Sequence, residues 1–174
     1  ERVMKKKDFN IVFSGLKLGE HHFTYELNDK FFELFGYEDH SQLHGEVAIA
    51  LNKHNTFLEL TFSLNCFVEV ICDRSNLPFK QQLLNELELL VKFGEDYNDE
   101  DDEQLILPFG DYQVNVAQYI YELIVLTIPQ KHIHPDVESG KIVPEYEVHD
   151  ESEFEESKEE EIDPRWDKLK DLLN

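Results

Sequence analysis

Between Thr56 and Phe79 the chain alternates almost without a break. Leu58, Leu60, Phe62, Leu64, Cys66, Val68, Val70 and Cys72 are apolar, and Glu59, Thr61, Ser63, Asn65, Phe67, Glu69 and Ile71 stand between them. Successive side chains of an extended strand point to opposite faces, so a period of two marks a strand with one buried face. Strands usually run about 5–6 residues. The extra length predicts a bulge or bend near Asn65, or a strand shared between two parts of a curved sheet. Asp73, Arg74, Ser75, Asn76 and Pro78 then predict a turn.

The remaining elements follow from similar patterns. Phe9, Ile11 and Phe13 predict a strand over 9–16. It should hairpin through the Gly15–Glu20 turn onto a second strand carrying His21, Phe23, Tyr25 and Leu27. Asn28 and Asp29 can cap a short helix over 30–35, with Phe31, Leu34 and Phe35 as its apolar face and Gly36 as its stop. Val47, Ile49 and Leu51 give a third strand. Leu83, Leu87, Leu89, Val91 and Phe93 oppose Glu86, Glu88 and Lys92, which favours a strand over a helix and an antiparallel return from the turn. Leu105–Leu107 is a short strand. Asn115 caps a helix over 116–127 that Pro129 ends; Val116, Tyr119, Ile120, Leu123, Ile124 and Leu126 form a stripe that must pack on the sheet. The expected fold is α+β: a curved antiparallel sheet or partial barrel of about six strands with one long packing helix and a C-terminal helix.

Charge divides the chain further. It carries 16 Lys and Arg against 38 Asp and Glu, a net −22 over 174 residues. Seven acids and no base fall in 95–103, and 13 acids against Lys141 and Lys158 fall in 136–163; the rest holds 14 bases and 18 acids. The expected organisation is an α+β body over 1–135 with an acidic loop at 95–103, an acidic linker over 136–162, and a C-terminal helix over 163–174. The linker is poor in large apolar groups, so mobility is its expected state. In the last segment Asp163 caps, Pro164 takes the first helical position, and Trp166, Leu169 and Leu173 share one face. So short a helix is marginal alone in water and should dock on the body or a partner.

The net charge argues against broad nucleic-acid binding and against DNA as a partner, while leaving room for one local RNA contact. No apolar run approaches the roughly 18–20 residues of a membrane span, and no secretory leader pattern opens the chain. The expected location is the cytoplasm, where the two cysteines stay reduced. Cys66 and Cys72 lie about 20 Å apart along a strand, too far for a disulfide unless the chain folds back.

The chemistry-bearing candidates are few. There is no GxSxG, P-loop, HExxH or glycine fingerprint. Cys72 with a histidine such as His134 would make a thiol dyad; set against that, Cys72 reads as a buried strand thiol. Cys66, Cys72, His132 and His134 lack the paired cysteine spacing of zinc sites, so no metal and no cofactor are expected. The 95–103 loop lacks the EF-hand glycine and spacing and reads as solvated. The acidic 136–163 run reads either as a solvated linker or as a docking strip for a basic protein. Arg74, at the end of a buried strand, can hold a carboxylate or phosphate with its planar fork, or pair with Asp73 or Glu122.

At these residues the sequence resembles a known family. Cys72-Asp73-Arg74 with Leu77-Pro78-Phe79 resembles the C-x-R…P-F turn of the YceD-like large ribosomal RNA subunit accumulation proteins. Tyr121-Glu122-Leu123 through Pro129 is similar to the family's helix with an internal Glu, and His134-Pro135 follows where the family often has a histidine. Asp163-Pro164-Arg165-Trp166 with Leu169 and Leu172 is similar to its C-terminal D-P-R-W-x-x-L-x-x-L. The three occur in the family's order, and the stretch from Gly15-Leu16-Lys17 to Phe31-Phe32 resembles its Bacteroidetes-type branch. Two features depart: Ser75 stands near where many members carry a second cysteine, and the segment between His134 and Asp163 has no cysteine cluster, so no metal role carries over. The resemblance implies a non-enzymatic bacterial ribosome-biogenesis factor for accumulation of large-subunit ribosomal RNA and assembly of that subunit, with a ribosomal protein or a large-subunit precursor as partner. Asp73, Arg74, Glu122, His134, Arg165 and Trp166 are the expected binding residues.

Overall fold

The computed structural model describes residues 4–143. The expected C-terminal helix, most of the acidic linker, Arg165 and Trp166 lie outside the described residues. In chain order a 3-10 turn at Lys6–Phe9 leads into β1 (Asn10–Val12), β2 (Gly19–Asn28), α1 (Asp29–Glu33), β3 (Ser41–Lys53), β4 (Phe57–Ile71) and β5 (Pro78–Gly94). These are followed by β6 (Asn98–Asp101), β7 (Gln104–Pro108), β8 (Gln113–Asn115), α2 (Ala117–Thr127) and α3 (Pro135–Glu138).

β4 is the centre of a six-stranded sheet ordered β2-β3-β4-β5-β7-β6. Its even residues from Leu58 to Val70 are all buried, at no more than 3% exposure, and Cys72 just beyond is 1% exposed. Each such apolar side chain contributes roughly 1.5–3 kcal/mol on burial. The dry face continues across the register: Phe62 lies between Ile49 and Leu87, and Leu60 between Leu51 and Leu89. Against it pack α1, α2 and a separate two-stranded ribbon of β1 and β8. Among the described residues nothing covers the opposite face, and none of Glu59, Thr61, Ser63, Asn65, Phe67 and Glu69 is buried.

The helices form where capping and periodicity place them. Asn28 Oδ1 accepts the Lys30 N–H at 3.0 Å at the start of α1, and Gly36 takes the left-handed conformation just after it, with φ 63°. Asn115 Oδ1 accepts the Ala117 N–H at 3.1 Å, and α2 buries Tyr119, Ile120, Leu123 and Ile124. Leu126, expected on that stripe, is 82% exposed. The sheet meets the helix along a narrower seam than its apolar residues span.

The α+β class, the curved open sheet and its six strands stand as expected, with three differences in detail. One pair, β5 with β7, is parallel, because β6 and β7 form their own antiparallel pair and turn β7 back alongside β5. β6 itself lies inside the expected acidic loop. The expected strand at 9–16 does not hairpin onto β2. Only Asn10–Val12 is extended, and it pairs with β8, which leaves β2 at the sheet's edge. Period two reports which side chains point inward, and Ile11 and Phe13 do so from the opposing layer. Finally, β4 runs straight through Asn65. The irregularity falls in β3, between Ser41 and His44, with Gln42 at φ 55° and Gly45 at φ 144°. Gly45 is needed there: a Cβ would run into the Asn65 carbonyl and the Cys66 backbone.

Candidate functional site

The end of β4 is bent into a tight wrap. Cys72 donates its N–H to the Leu77 carbonyl at 2.9 Å, and Asn76 donates to the Cys72 carbonyl at 2.9 Å. Asn76 takes the left-handed conformation, φ 55°, which Asn tolerates better than most side chains. The wrap turns backbone amides toward the Cys72 sulfur. Burial pushes this thiol up, but the hydroxyl of Ser75 and the backbone amides of His134, Ser75 and Arg74 favour the thiolate more, bringing it down to about 7. The Ser75 hydroxyl is buried beside the sulfur. Cys66, on the same face of the strand but surrounded by the apolar core, is pushed up to about 12 by burial. Both thiols are free. One chemical type thus behaves in two ways, decided by whether hydroxyl and amide donors face the sulfur.

After Pro129 the chain returns to this turn and straps it. The Asp73 N–H donates to the His132 carbonyl at 2.8 Å, and the His132 N–H donates to Asp73 Oδ2 at 2.7 Å. Two residues on, the His134 N–H donates to Cys72 Sγ at 3.2 Å. The His134 ring is engaged elsewhere. Its Nδ1 accepts the Asp136 N–H at 3.0 Å and caps α3, while its edge meets Phe79 with centroids 5.2 Å apart. Accepting that bond leaves Nδ1 without a proton and places the proton of the neutral ring on Nε2. The thiol therefore meets the main chain of His134, not its imidazole.

Of the expected binding residues, Asp73 and His134 are brought together with Cys72. Arg74 is exposed in the turn and, among the described residues, pairs with neither Asp73 nor Glu122. Its guanidinium is open to a carboxylate or phosphate. Glu122 is exposed on α2 and accepts from Gln118 Nε2 at 2.6 Å, an interaction within its own helix. Arg165 and Trp166 lie outside the described residues.

Beside the strap is a cluster that the sequence patterns did not single out. Phe35 stacks on Tyr121 at 4.3 Å, Tyr37 Oη lies 2.7 Å from His40 Nδ1, and the His40 and His132 rings meet edge to face at 5.8 Å. His132 Nε2 is buried without a hydrogen-bond partner. His40 is held below the ordinary histidine range, first by burial and then by His132, against an opposing pull from Asp39. Tyr37 and His40, three apart after Gly36, are the only local signal for this cluster; their partners lie more than eighty residues away. Among the described residues, no group of three or more His, Cys, Asp or Glu is placed to hold a metal ion.

What the arrangement offers is a hydrogen-bonded turn with one ionisable thiol, one unpaired arginine and a two-bond clamp, tied to the end of the sheet's central strand. The family profile "Large ribosomal RNA subunit accumulation protein YceD" matches residues 60–173, from within β4 through the Cys72 turn, α2 and the strap. No curated protein matches the chain, and no solved structure does. That match takes in well over half of the 174 residues, and the chain belongs to the YceD family of large ribosomal RNA subunit accumulation proteins.

Proposed function

We propose that this chain works by binding rather than catalysis, supporting accumulation of large-subunit ribosomal RNA and assembly of the large subunit by holding a ribosomal protein or a precursor particle. The observation that carries the reading is membership of the YceD family over residues 60–173. The charge supports it: 38 acids against 16 bases suit a lysine-rich partner far better than a nucleic-acid duplex. The exposed Arg74 turn is where a local ribosomal RNA phosphate would be met. This role belongs to the cytoplasm; among the described residues, no helix is long and apolar enough to cross a membrane.

The test is capture from lysate at low and high salt, using the full chain beside a chain ending before Asp136. Large-subunit precursors or basic ribosomal proteins retained by the full chain and released by salt support the reading. Absence of ribosomal components from both removes it. A thiol enzyme using Cys72 and His134 is the rival from another class. It draws on the thiol lying near 7, but the contact runs through the His134 main chain. If alkylating Cys72 leaves ribosomal capture intact, the rival loses its ground.

A further inference from the structure

The uncovered face of the sheet has a chemistry of its own. Glu20 and Glu26 on β2, Glu46 on β3, Glu59 on β4, and Glu86 and Glu88 on β5 stand on it, and Asp101 continues it at the far edge. Lys80 and Lys92 sit at its two ends, the latter bonded to Gln104 at 2.7 Å. The middle of the floor is low: Ala48 lies opposite Ser63 and Ala50 opposite Thr61. An open recess of about 830 Å³ lies over Ala50 and Thr61, with six acids and no base among its fourteen lining residues, and a second of about 490 Å³ lies over Ala48 and Ser63 beside Glu46 and Glu86.

Two further observations separate this face from an ordinary solvated one. Glu26 and Glu46 are direct cross-strand partners, a like-charge pairing that opposes the fold. Neither finds a cation among the described residues, nor does Glu88. And small side chains fill the centre of the face where threonine, valine or lysine would better cover a solvent-facing sheet. The face is about 24 Å across six strands at about 4.8 Å spacing. That is wide enough for a helix about 10–12 Å in diameter.

We propose that this face is a docking surface for a lysine- and arginine-rich segment of a protein, which lies over the Ala48/Ala50/Ser63 floor with its cations against Glu46, Glu59, Glu86 and Glu88. The proposal rests on the binding function proposed above and gives it a surface. Charge also decides between occupants. Residues 136–163 of this chain carry 13 acids against two bases, a charge that does not complement the face. Nucleic acid is repelled for the same reason.

The probe is a fluorescein-labelled peptide of about 20 residues, lysine and alanine at helical spacing, followed by anisotropy against the full chain. A Glu46→Lys/Glu88→Lys double variant is expected to weaken binding about tenfold or more at low salt. A variant with the acids of 151–161 changed to glutamine should lose less than about threefold. Glu46→Lys alone, facing Glu26, should melt no lower than the parent chain, so that lost binding is not lost folding. Equal binding by the parent and the double variant overturns the proposal, as does a loss confined to the tail variant. Lysate capture separates the two claims. If the parent and the double variant retain ribosomal components equally, the face is wrong and the function stands. If the parent retains none while the peptide result holds, the function is wrong and the basic-segment surface stands.

Discussion

Cys72 and Cys66 show how little residue type says about chemistry. Cys72 lies just past the end of β4 and Cys66 on the strand's inner face, and both are buried. Against the upward push of burial, the Ser75 hydroxyl and the amide donors around the first hold it at about 7, while burial raises the second to about 12. A titration of thiolate absorbance near 240 nm should show one step near neutrality that Cys72→Ser removes, with Cys66 silent until the fold is lost. The linkage has a definite sign. The folded value lies below the ordinary 9, so the contribution to stability is full above pH 9 and disappears as the pH falls through about 7. The stability gap between the parent and Cys72→Ala should therefore widen from pH 7 to pH 9; a gap that narrows would mean the thiol is not held as thiolate. Gly45 has a different constraint, of space and backbone together. Gly45→Ala should cost about 2–4 kcal/mol from strain and overpacking, read from urea unfolding.

At the scale of elements, the period of each pattern is informative and the pairing is not. β4, β5 and both main helices are readable because one buried face repeats every two or 3.6 residues. β1 carries the same alternation as a sheet strand, yet pairs with β8 more than a hundred residues away. No local signal encodes that choice, since inward-pointing Ile11 and Phe13 satisfy either layer. The parallel β5–β7 pair is hidden likewise, because it depends on β7 also pairing with β6, which turns it back alongside β5. In the site, the Cys72 turn is readable from its Asp, Ser, Asn and Pro. Its clamp to His132, 59 residues on, is not, since three of its four partners are main-chain groups that every residue has and the fourth, the Asp73 carboxylate, reads equally well as a turn residue. The α2 seam turns one such misreading into a test. Leu123→Ala should cost about 2–5 kcal/mol as a core truncation, and Leu126→Ala should stay within about 0.5 kcal/mol, compared by thermal or urea unfolding. Equal costs would mean that the helix meets the sheet along a wider seam than the 82% exposure of Leu126 allows.

For the whole molecule, the distribution of charge matters more than its sum. Outside the two acidic stretches the bases and acids nearly balance, but the fold separates them. Lys53 is drawn to the Phe13 and Leu16 carbonyls and Lys6 lies over the Phe35 ring, while the glutamates gather on the uncovered sheet face. Ion pairs among the described residues include Lys141 with Asp136 and three involving histidines that need protonation to count, all between residues close in the chain. On the sheet face, where Glu26 and Glu46 are cross-strand partners, screening has repulsion to relieve. Raising salt from low to physiological ionic strength should raise the melting temperature of the full chain. Glu46→Lys should start higher, by the equivalent of about 0.2–1 kcal/mol for one relieved cross-strand pair, and gain less from salt. A melting temperature that falls with salt would mean that attractive pairs dominate, and the acidic face would then already be neutralised within the chain, with no charge left to offer a basic partner.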